Sequence, residues 1–128
     1  VLPAGGLTAR INIMARRKSA RSAGPGRYDK SSWDDWIEDS GVVTRLLLED
    51  EDDVPHQRFV VTLSSGQTVL IAHNLDLAER VPVGIGDRVA FRGVYEWNPM
   101  GGVVHWTHRD PRGDDGEGFV CFRGRVYA

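Results

Sequence analysis

The residues best suited to chemistry are concentrated between positions 95 and 110. These sixteen residues include a glutamate, an asparagine, two histidines and three large aromatic side chains. A carboxylate beside an imidazole raises the histidine pKa and fixes its tautomer. Glu96 and His105 are therefore candidates for acid–base chemistry, provided that the fold brings them together.

A β-hairpin would position these residues. Residues 99–102 contain proline and two glycines and separate two runs of β-branched and aromatic residues, as in a hairpin turn. With a four-residue loop, Glu96 lies directly opposite His105, with Cβ atoms roughly 5 Å apart. A loop of another length would change every partner, and a solvent-facing pair without a role is the alternative interpretation. Strand alternation sorts the remaining polar and aromatic residues onto two faces: Asn98 and Thr107 beside Glu96, and Trp97, Trp106 and His108 opposite.

A second candidate hairpin lies earlier in the chain, with strands over 56–63 and 67–74. Taking Ser65-Gly66 as a two-residue turn places Arg58 opposite His73. The same pairing predicts His56, Arg58 and His73 on one polar face. We expect the polar faces of the two hairpins to converge in a small barrel, which would create a single site.

Two phosphate chemistries fit such a site. In the first, Arg58 and the histidines bind phosphate while bases stack on Trp97, Trp106 or Tyr95, which contributes about 1–3 kcal/mol per base. In the second, His105 cleaves a phosphodiester by acid–base chemistry, with Glu96 orienting its ring and Arg58 on the phosphate. The alternative interpretation is that these aromatic residues pack in the hydrophobic core and do not contact a ligand.

A metal site is the third chemistry. Any three of His56, His73, His105 and Glu96 could supply the ligands for a divalent cation such as zinc. His73 is also a further candidate catalytic residue. The acidic run Glu49–Asp53 lacks the alternating spacing and central glycine of a calcium loop, which favours a solvated loop.

Charge is unevenly distributed along the chain. The net charge is −2 from 16 basic and 18 acidic residues. Residues 1–27 contain six basic and no acidic residues, so residues 28–128 carry a net charge of −8. An acidic body is not a general polyanion binder, since phosphate neutralisation needs clustered Lys and Arg. Only the basic tail suits nucleic acid electrostatically, and a solubilising tail is the alternative.

The composition indicates a single domain outside the membrane. At 128 residues the chain can bury a substantial core. No apolar run approaches the roughly 20 residues of a membrane helix, and no signal peptide is evident. The lone Cys121 excludes an internal disulfide framework and suits a small buried hydrophobe. These features favour a cytoplasmic protein without a membrane partner, and they leave its oligomeric state open.

The order of elements predicts the fold. Residues 1–30 are expected to form a disordered basic tail, in which 1–13 precede a plausible start at Met14. Residues 31–128 are expected to form the domain, beginning with a helix over 31–38 whose N-cap is Ser32. Strands are predicted over 41–49, 56–63, 67–74, 88–97, 103–108, 119–122 and 125–127, with a short helical turn over 75–81. This order predicts a mainly β, five-stranded OB-like Greek-key barrel with a C-terminal hairpin.

The motifs as a group resemble a family of small bacterial domains of unknown function that carry a His-Trp-Thr-His motif. The resemblance covers roughly Gly41 to Tyr127 and rests on His-Gln-Arg-Phe at 56–59, Ala-His-Asn at 72–74, Glu-Trp-Asn at 96–98 and His-Trp-Thr-His at 105–108. It implies a shared set of residues without implying an activity: His56, Arg58, His73, Asn74, Glu96, Asn98, His105, Thr107, His108 and Asp110. We expect an OB-like domain that binds single-stranded nucleic acid. A phosphodiesterase or nuclease is the first alternative, and a module that binds a small ligand or a protein partner is the second.

Overall fold

The computed structural model describes residues 26–49, 54–112 and 117–128. These residues form a single sheet of seven strands. The strands are β1 (Trp36–Leu47), β2 (His56–Leu63), β3 (Thr68–Asn74), β4 (Arg88–Glu96), β5 (Val103–His105), β6 (Phe119–Phe122) and β7 (Arg125–Tyr127). The strands predicted over 56–63, 119–122 and 125–127 are confirmed at both ends, whereas β5 is three residues shorter than predicted.

Five of these strands close into a ring. The ring runs β1-β2-β3-β5-β4 and returns to β1, with β3 and β5 parallel and the other neighbours antiparallel. Closure is uneven, because β1 pairs with β4 from Trp36 to Val42 whereas β3 pairs with β5 only at Leu70 and Ile71. The prediction of a mainly β chain built on a five-stranded ring is confirmed. The predicted C-terminal hairpin, β6 and β7, extends the sheet from β4.

Strict alternation fills the interior of the ring. Along β2, β3 and β4 every second side chain is buried, which is the pattern of strands with one face on a core. Fully burying one such aliphatic or aromatic side chain contributes about 1.5–3 kcal/mol. The residues with at most 1% of their surface exposed include Val43, Phe59, Val61, Val69, Ile71, Phe91, Tyr95, Val104 and Val120.

The helix predicted over 31–38 is not formed. A 3₁₀ turn spans Lys30–Ser32 with Asp29 as its N-cap, so a capping box exists three residues before the predicted position. Trp36 already belongs to β1, where it pairs with Val94 of β4. The helical spacing of the apolar residues was therefore misleading, because Ile37 is buried in the core while Trp36 lies half-buried on the outer face.

The predicted pairing of the first hairpin is wrong by one residue. Gln57, rather than Arg58, lies opposite His73. The loop has three residues because Leu63 pairs with Gln67, and Gly66 adopts a positive φ of 93°. Such three-residue loops commonly end in a left-handed glycine. A one-residue slip exchanges the two faces of a strand, so His73 points into the barrel and not toward Arg58.

The predicted pairing of the second hairpin is wrong by two residues. Glu96 pairs with Val103 and Val94 pairs with His105, so the loop is six residues long. A two-residue slip preserves the faces, because side chains alternate with a period of two. Glu96 and His105 therefore remain on the same outer face, where they meet diagonally instead of directly.

Residues 26–29, which belong to the predicted tail, lie against the barrel. Gly26 accepts a hydrogen bond from the Ser65 hydroxyl. The backbone of Tyr28 forms two hydrogen bonds with the side chain of Gln67, and its ring packs against Tyr95. The remainder of the predicted tail, residues 1–25, lies outside the described residues, as do 50–53 and 113–116 of two predicted loops. Across the described ranges, no helix is sufficiently long and apolar to cross a membrane.

Candidate functional site: two clefts that meet at His105 and Trp106

A backbone turn at Trp106 shapes the candidate site. Trp106 has a φ of 60°, a left-handed conformation that ends β5 at His105. For a bulky residue this conformation costs about 1–2 kcal/mol. The turn breaks the alternation that would send His105 and His108 to opposite sides, so both histidines border the same cleft. Strain of this kind is often concentrated at functional sites.

The first cleft, called the histidine cleft below, has a volume of about 180 Å³. It brings together residues from both hairpins and one residue from the turn that follows β3. The expected convergence of the hairpins thus occurs with a partly different set of residues. The lining residues are His56, Asn74, Leu77, His105, Trp106 and His108.

The second cleft, called the tryptophan cleft below, adjoins the first and has a volume of about 320 Å³. Asp34, Trp36, Val94, His105 and Trp106 line it. Trp36, Val94 and His105 occupy one row across β1, β4 and β5, with Val94 in the middle. Neighbouring strands lie about 4.8 Å apart, so the Trp36 and His105 backbones are separated by roughly 10 Å across this row.

His105 lies where the two clefts meet and is the best-placed acid–base group. Its Nε2 atom is 3.5 Å from Oε2 of Glu96. Burial lowers the pKa of His105 from its usual value, while the carboxylates of Glu96 and Asp34 partly oppose that shift. The imidazole is therefore mainly neutral near pH 7, the form in which it can act as a base.

His108 is held against Trp106 and is largely buried. The two rings stack with centroids 5.6 Å apart and an interplanar angle of 24°. The Nδ1 atom of His108 lies 2.8 Å from the carbonyl oxygen of Arg109 and donates to it. In the neutral ring, Nε2 is then left as the acceptor.

His73, a predicted catalytic residue, is a buried structural group. Nε2 donates to the carbonyl oxygen of Glu79 at 2.9 Å, which leaves Nδ1 to accept from the Thr107 hydroxyl at 2.8 Å. Burial lowers the pKa of His73, consistent with a neutral ring. Because both ring nitrogens are engaged, His73 and Thr107 support the turn and do not border the clefts.

Three other predicted polar residues lie outside the two clefts and stabilise loops. Arg58 donates from Nε and Nη2 to the carbonyl oxygen of Leu48, at 3.0 and 2.7 Å. The Asn98 side chain accepts from two backbone amides of its own loop, at 2.9 and 3.0 Å. Asp110 is buried and accepts from the amide of Arg112 at 2.9 Å.

Trp97 lies beside the site without lining either cleft. It packs partly against the core and contacts Trp33 with ring centroids 6.1 Å apart. Nζ of Lys30 lies 4.7 Å from the centre of the Trp97 ring. The exposed cation of Lys30 and the exposed indole of Trp33 therefore lie next to Trp97, a predicted site residue.

Metal ligation is not supported by the positions of the candidate ligands. Within residues 26–49, 54–112 and 117–128, no group of three or more His, Cys, Asp or Glu side chains is placed to hold a metal ion. Both nitrogens of His73 already have partners, so the ligand set that the sequence allowed is not assembled.

A larger groove of about 380 Å³ lies on the outer face of β1, β2 and β3. Of the predicted site residues, only Asn98 lines it. Among the described residues at its surface there is no histidine or aromatic side chain, so neither base stacking nor imidazole chemistry has a basis there. The lining is mainly aliphatic and threonine side chains: Thr44, Leu47, Val60, Thr68, Val69, Leu70 and Met100, with Arg45.

Sequence reasoning missed four members of the site: Asp34, Trp36, Val94 and Leu77. Trp36 was assigned to a helix, and the chain around Asp34 was assigned to the same element. Alternation within β4 is sufficient to place Val94 and Arg92 on the outer face. The guanidinium carbon of Arg92 lies 4.9 Å from the centre of the Trp36 ring. Leu77 follows β3 in a turn, and its position had no sequence signal.

The fold and the clefts define a small β-barrel domain with a histidine- and tryptophan-lined surface site. The chain belongs to a protein family of unknown function (DUF3465), whose sequence pattern matches residues 18–128. The expected membership of an uncharacterised family is thereby confirmed. No curated protein and no solved structure matches the chain significantly.

Proposed function

We propose that this domain binds single-stranded nucleic acid at the two clefts. The observation that carries the proposal is the position of Trp106, which borders both clefts and is held there by a strained backbone and a stacked histidine. Indole rings at a surface suit unpaired bases, because every base presents a π-face. Trp36 provides a second ring in the adjoining cleft.

The charges near the clefts support a short, localised contact with the phosphate backbone. Lys30 and Arg92 each lie over a tryptophan ring, at 4.7 and 4.9 Å. Residues 28–128 as a whole are acidic, with a net charge of −8. Stacking therefore supplies most of the affinity, and phosphate neutralisation supplies little.

A labelled oligonucleotide tests the proposal. We expect short single-stranded DNA or RNA to be retained by the wild-type protein, and duplex DNA of the same sequence to be retained much less. Trp106→Leu should weaken retention at least tenfold, whereas Arg88→Ala should not. Arg88 is exposed at the opposite end of β4 and serves as the matched control. Absence of retention by the wild type would contradict the proposal.

Phosphodiester cleavage is the second candidate function, and the His105–Glu96 contact favours it. A neutral imidazole 3.5 Å from a carboxylate can accept a proton, and the carboxylate then stabilises the resulting cation. The same incubations, scored for product with divalent metal and with chelator, test this candidate. His105→Ala should abolish cleavage, and cleavage by that variant at the wild-type rate would exclude His105 as the base.

A further inference from the structure

The two clefts differ in a way that matches the two halves of a nucleotide. The histidine cleft is small, and among the described residues that line it none carries a carboxylate. The tryptophan cleft is larger, and it contains two indole rings and the carboxylate of Asp34. The chain contains 18 acidic residues. The histidine cleft differs from this acidic character, because its polar lining consists of imidazoles and an amide.

We infer that the unit recognised is one nucleotide, with its base in the tryptophan cleft and a phosphate in the histidine cleft. This inference rests on the proposed function and adds an orientation to it. A phosphate avoids Asp34 and meets N–H donors from the side chains of Asn74 and His56, each of which can donate at least one hydrogen bond. His105 and Trp106 border both clefts, so a ligand that spans them contacts both residues.

The tryptophan cleft has the dimensions that a base requires. Side chains stand roughly perpendicular to a sheet, so Trp36 and His105 flank a slot above Val94. Their backbones are separated by roughly 10 Å, two strand spacings. A planar ring with contacts of about 3.5–4.0 Å on each face needs roughly 7–8 Å between the flanking groups. The carboxylate of Asp34 can accept from an exocyclic amino group at the edge of such a ring.

Mononucleotides separate the two halves of the inference. The full chain is titrated with cytidine, with cytidine 5′- and 3′-monophosphate and with inorganic phosphate, and tryptophan fluorescence and calorimetry are recorded. At least one monophosphate should bind tenfold or more tightly than cytidine. His56→Gln should reduce the affinity for the monophosphate toward that for cytidine while leaving cytidine binding unchanged. Trp36→Leu should weaken both ligands, and Arg88→Ala should weaken neither.

The outcomes distinguish this inference from the proposed function. Equal binding of cytidine and both monophosphates would overturn the phosphate assignment. Oligonucleotide binding that depends on Trp106, but that no monophosphate displaces at millimolar concentration, would overturn the inference and leave the proposed function standing. Absence of binding by every nucleotide and oligonucleotide would overturn both.

Discussion

The Nδ1 atom of His73 lies 2.8 Å from the Thr107 hydroxyl oxygen, with both residues fully buried. This hydrogen bond joins β3 to the chain immediately after the strained Trp106. The opposite ring nitrogen binds the Glu79 carbonyl oxygen, so a single imidazole connects three segments. The histidine that sequence reasoning assigned to catalysis instead holds the turn on which His105 and Trp106 depend.

Loss of this hydrogen bond should destabilise the fold. Thr107→Val removes the donor and leaves Nδ1 of His73 buried without a partner, which should lower the free energy of unfolding by about 1–3 kcal/mol. Urea denaturation measures the change. Thr62→Val is the matched control, because Thr62 shares an exposed hydrogen bond with Thr44, and it should cost less than about 0.5 kcal/mol. Equal losses in the two variants would contradict the assigned role of the His73–Thr107 bond.

Stability should fall as the solution is acidified through the histidine range. Burial lowers the folded-state pKa values of His73 and His105 below about 6.5, the value for an unfolded histidine. The unfolded chain then binds more protons in this window, so the stability is fully present above about pH 6.5 and is lost as the pH falls toward the folded values. Denaturation curves from about pH 8 to about pH 5 measure the slope, and His73→Gln should flatten it. A rise in stability on acidification would contradict the assignment.

Gly101, two residues before β5, has a structural role that can be isolated, with Gly124 between β6 and β7 as the control. Gly101 has a φ of 113°, and an added Cβ atom would collide with the carbonyl oxygen of Thr68. Gly124 has a φ of 79°, and no atom of the described residues lies within 4 Å of such a Cβ. Gly124→Ala should therefore cost only about 1–2 kcal/mol for the left-handed backbone. Thermal unfolding should show a larger loss for Gly101→Ala, and equal losses would contradict the close approach.

The left-handed backbone at Trp106 predicts that glycine destabilises the fold less than alanine at this position. At most strand or loop positions alanine is more stabilising than glycine, but a positive φ reverses that preference. Trp106→Gly should be more stable than Trp106→Ala by about 1 kcal/mol, measured by urea denaturation. Both variants should lose oligonucleotide binding, because each removes the indole ring. Greater stability of the alanine variant would show that the left-handed conformation is not retained in solution.

The salt dependence of binding should be shallow. With contacts from Lys30 and Arg92 alone, the slope of log K against log salt should be about −1.4 for a single strand. Lys30→Ala and Arg92→Ala should each reduce its magnitude by about 0.7, and Arg88→Ala should leave it unchanged. Anisotropy titrations at several salt concentrations measure these slopes. A much steeper slope would place the ligand on a different, more basic part of the chain.

Sequence patterns located the strands well because alternation and turn residues are local signals. The bounds of β2 and β6 followed from the residues of each strand and from the turn residues beside it. Pairing partners depend on loop length, and the loop after Leu63 has three residues where two were expected. That single residue moved His73 from the predicted outer face into the core. The predicted pairing of the second hairpin was wrong by two residues, but its side chains were still assigned to the correct faces, because side chains alternate with a period of two.

Two features of the site had no local signal. The spacing of Trp33, Trp36 and Ile37 fits a helix, and only pairing with β4 makes Trp36 and Ile37 part of a strand. The left-handed conformation of Trp106 is also a tertiary effect, because a tryptophan is among the residues least suited to it. The resemblance placed His56, Asn74 and His105 in one group, and the structure gives them a common cleft.

The most direct test of the central claim is an NMR titration of the full chain with a short single-stranded oligonucleotide, following indole and methyl resonances. Binding at the clefts predicts that the indoles of Trp36 and Trp106 and the methyl groups of Val94 shift first. The methyl groups of Val60 and Leu70, which line the groove on the outer face of β1, β2 and β3, should remain unchanged. Shifts confined to that groove, or no shifts at saturating oligonucleotide, would contradict the account.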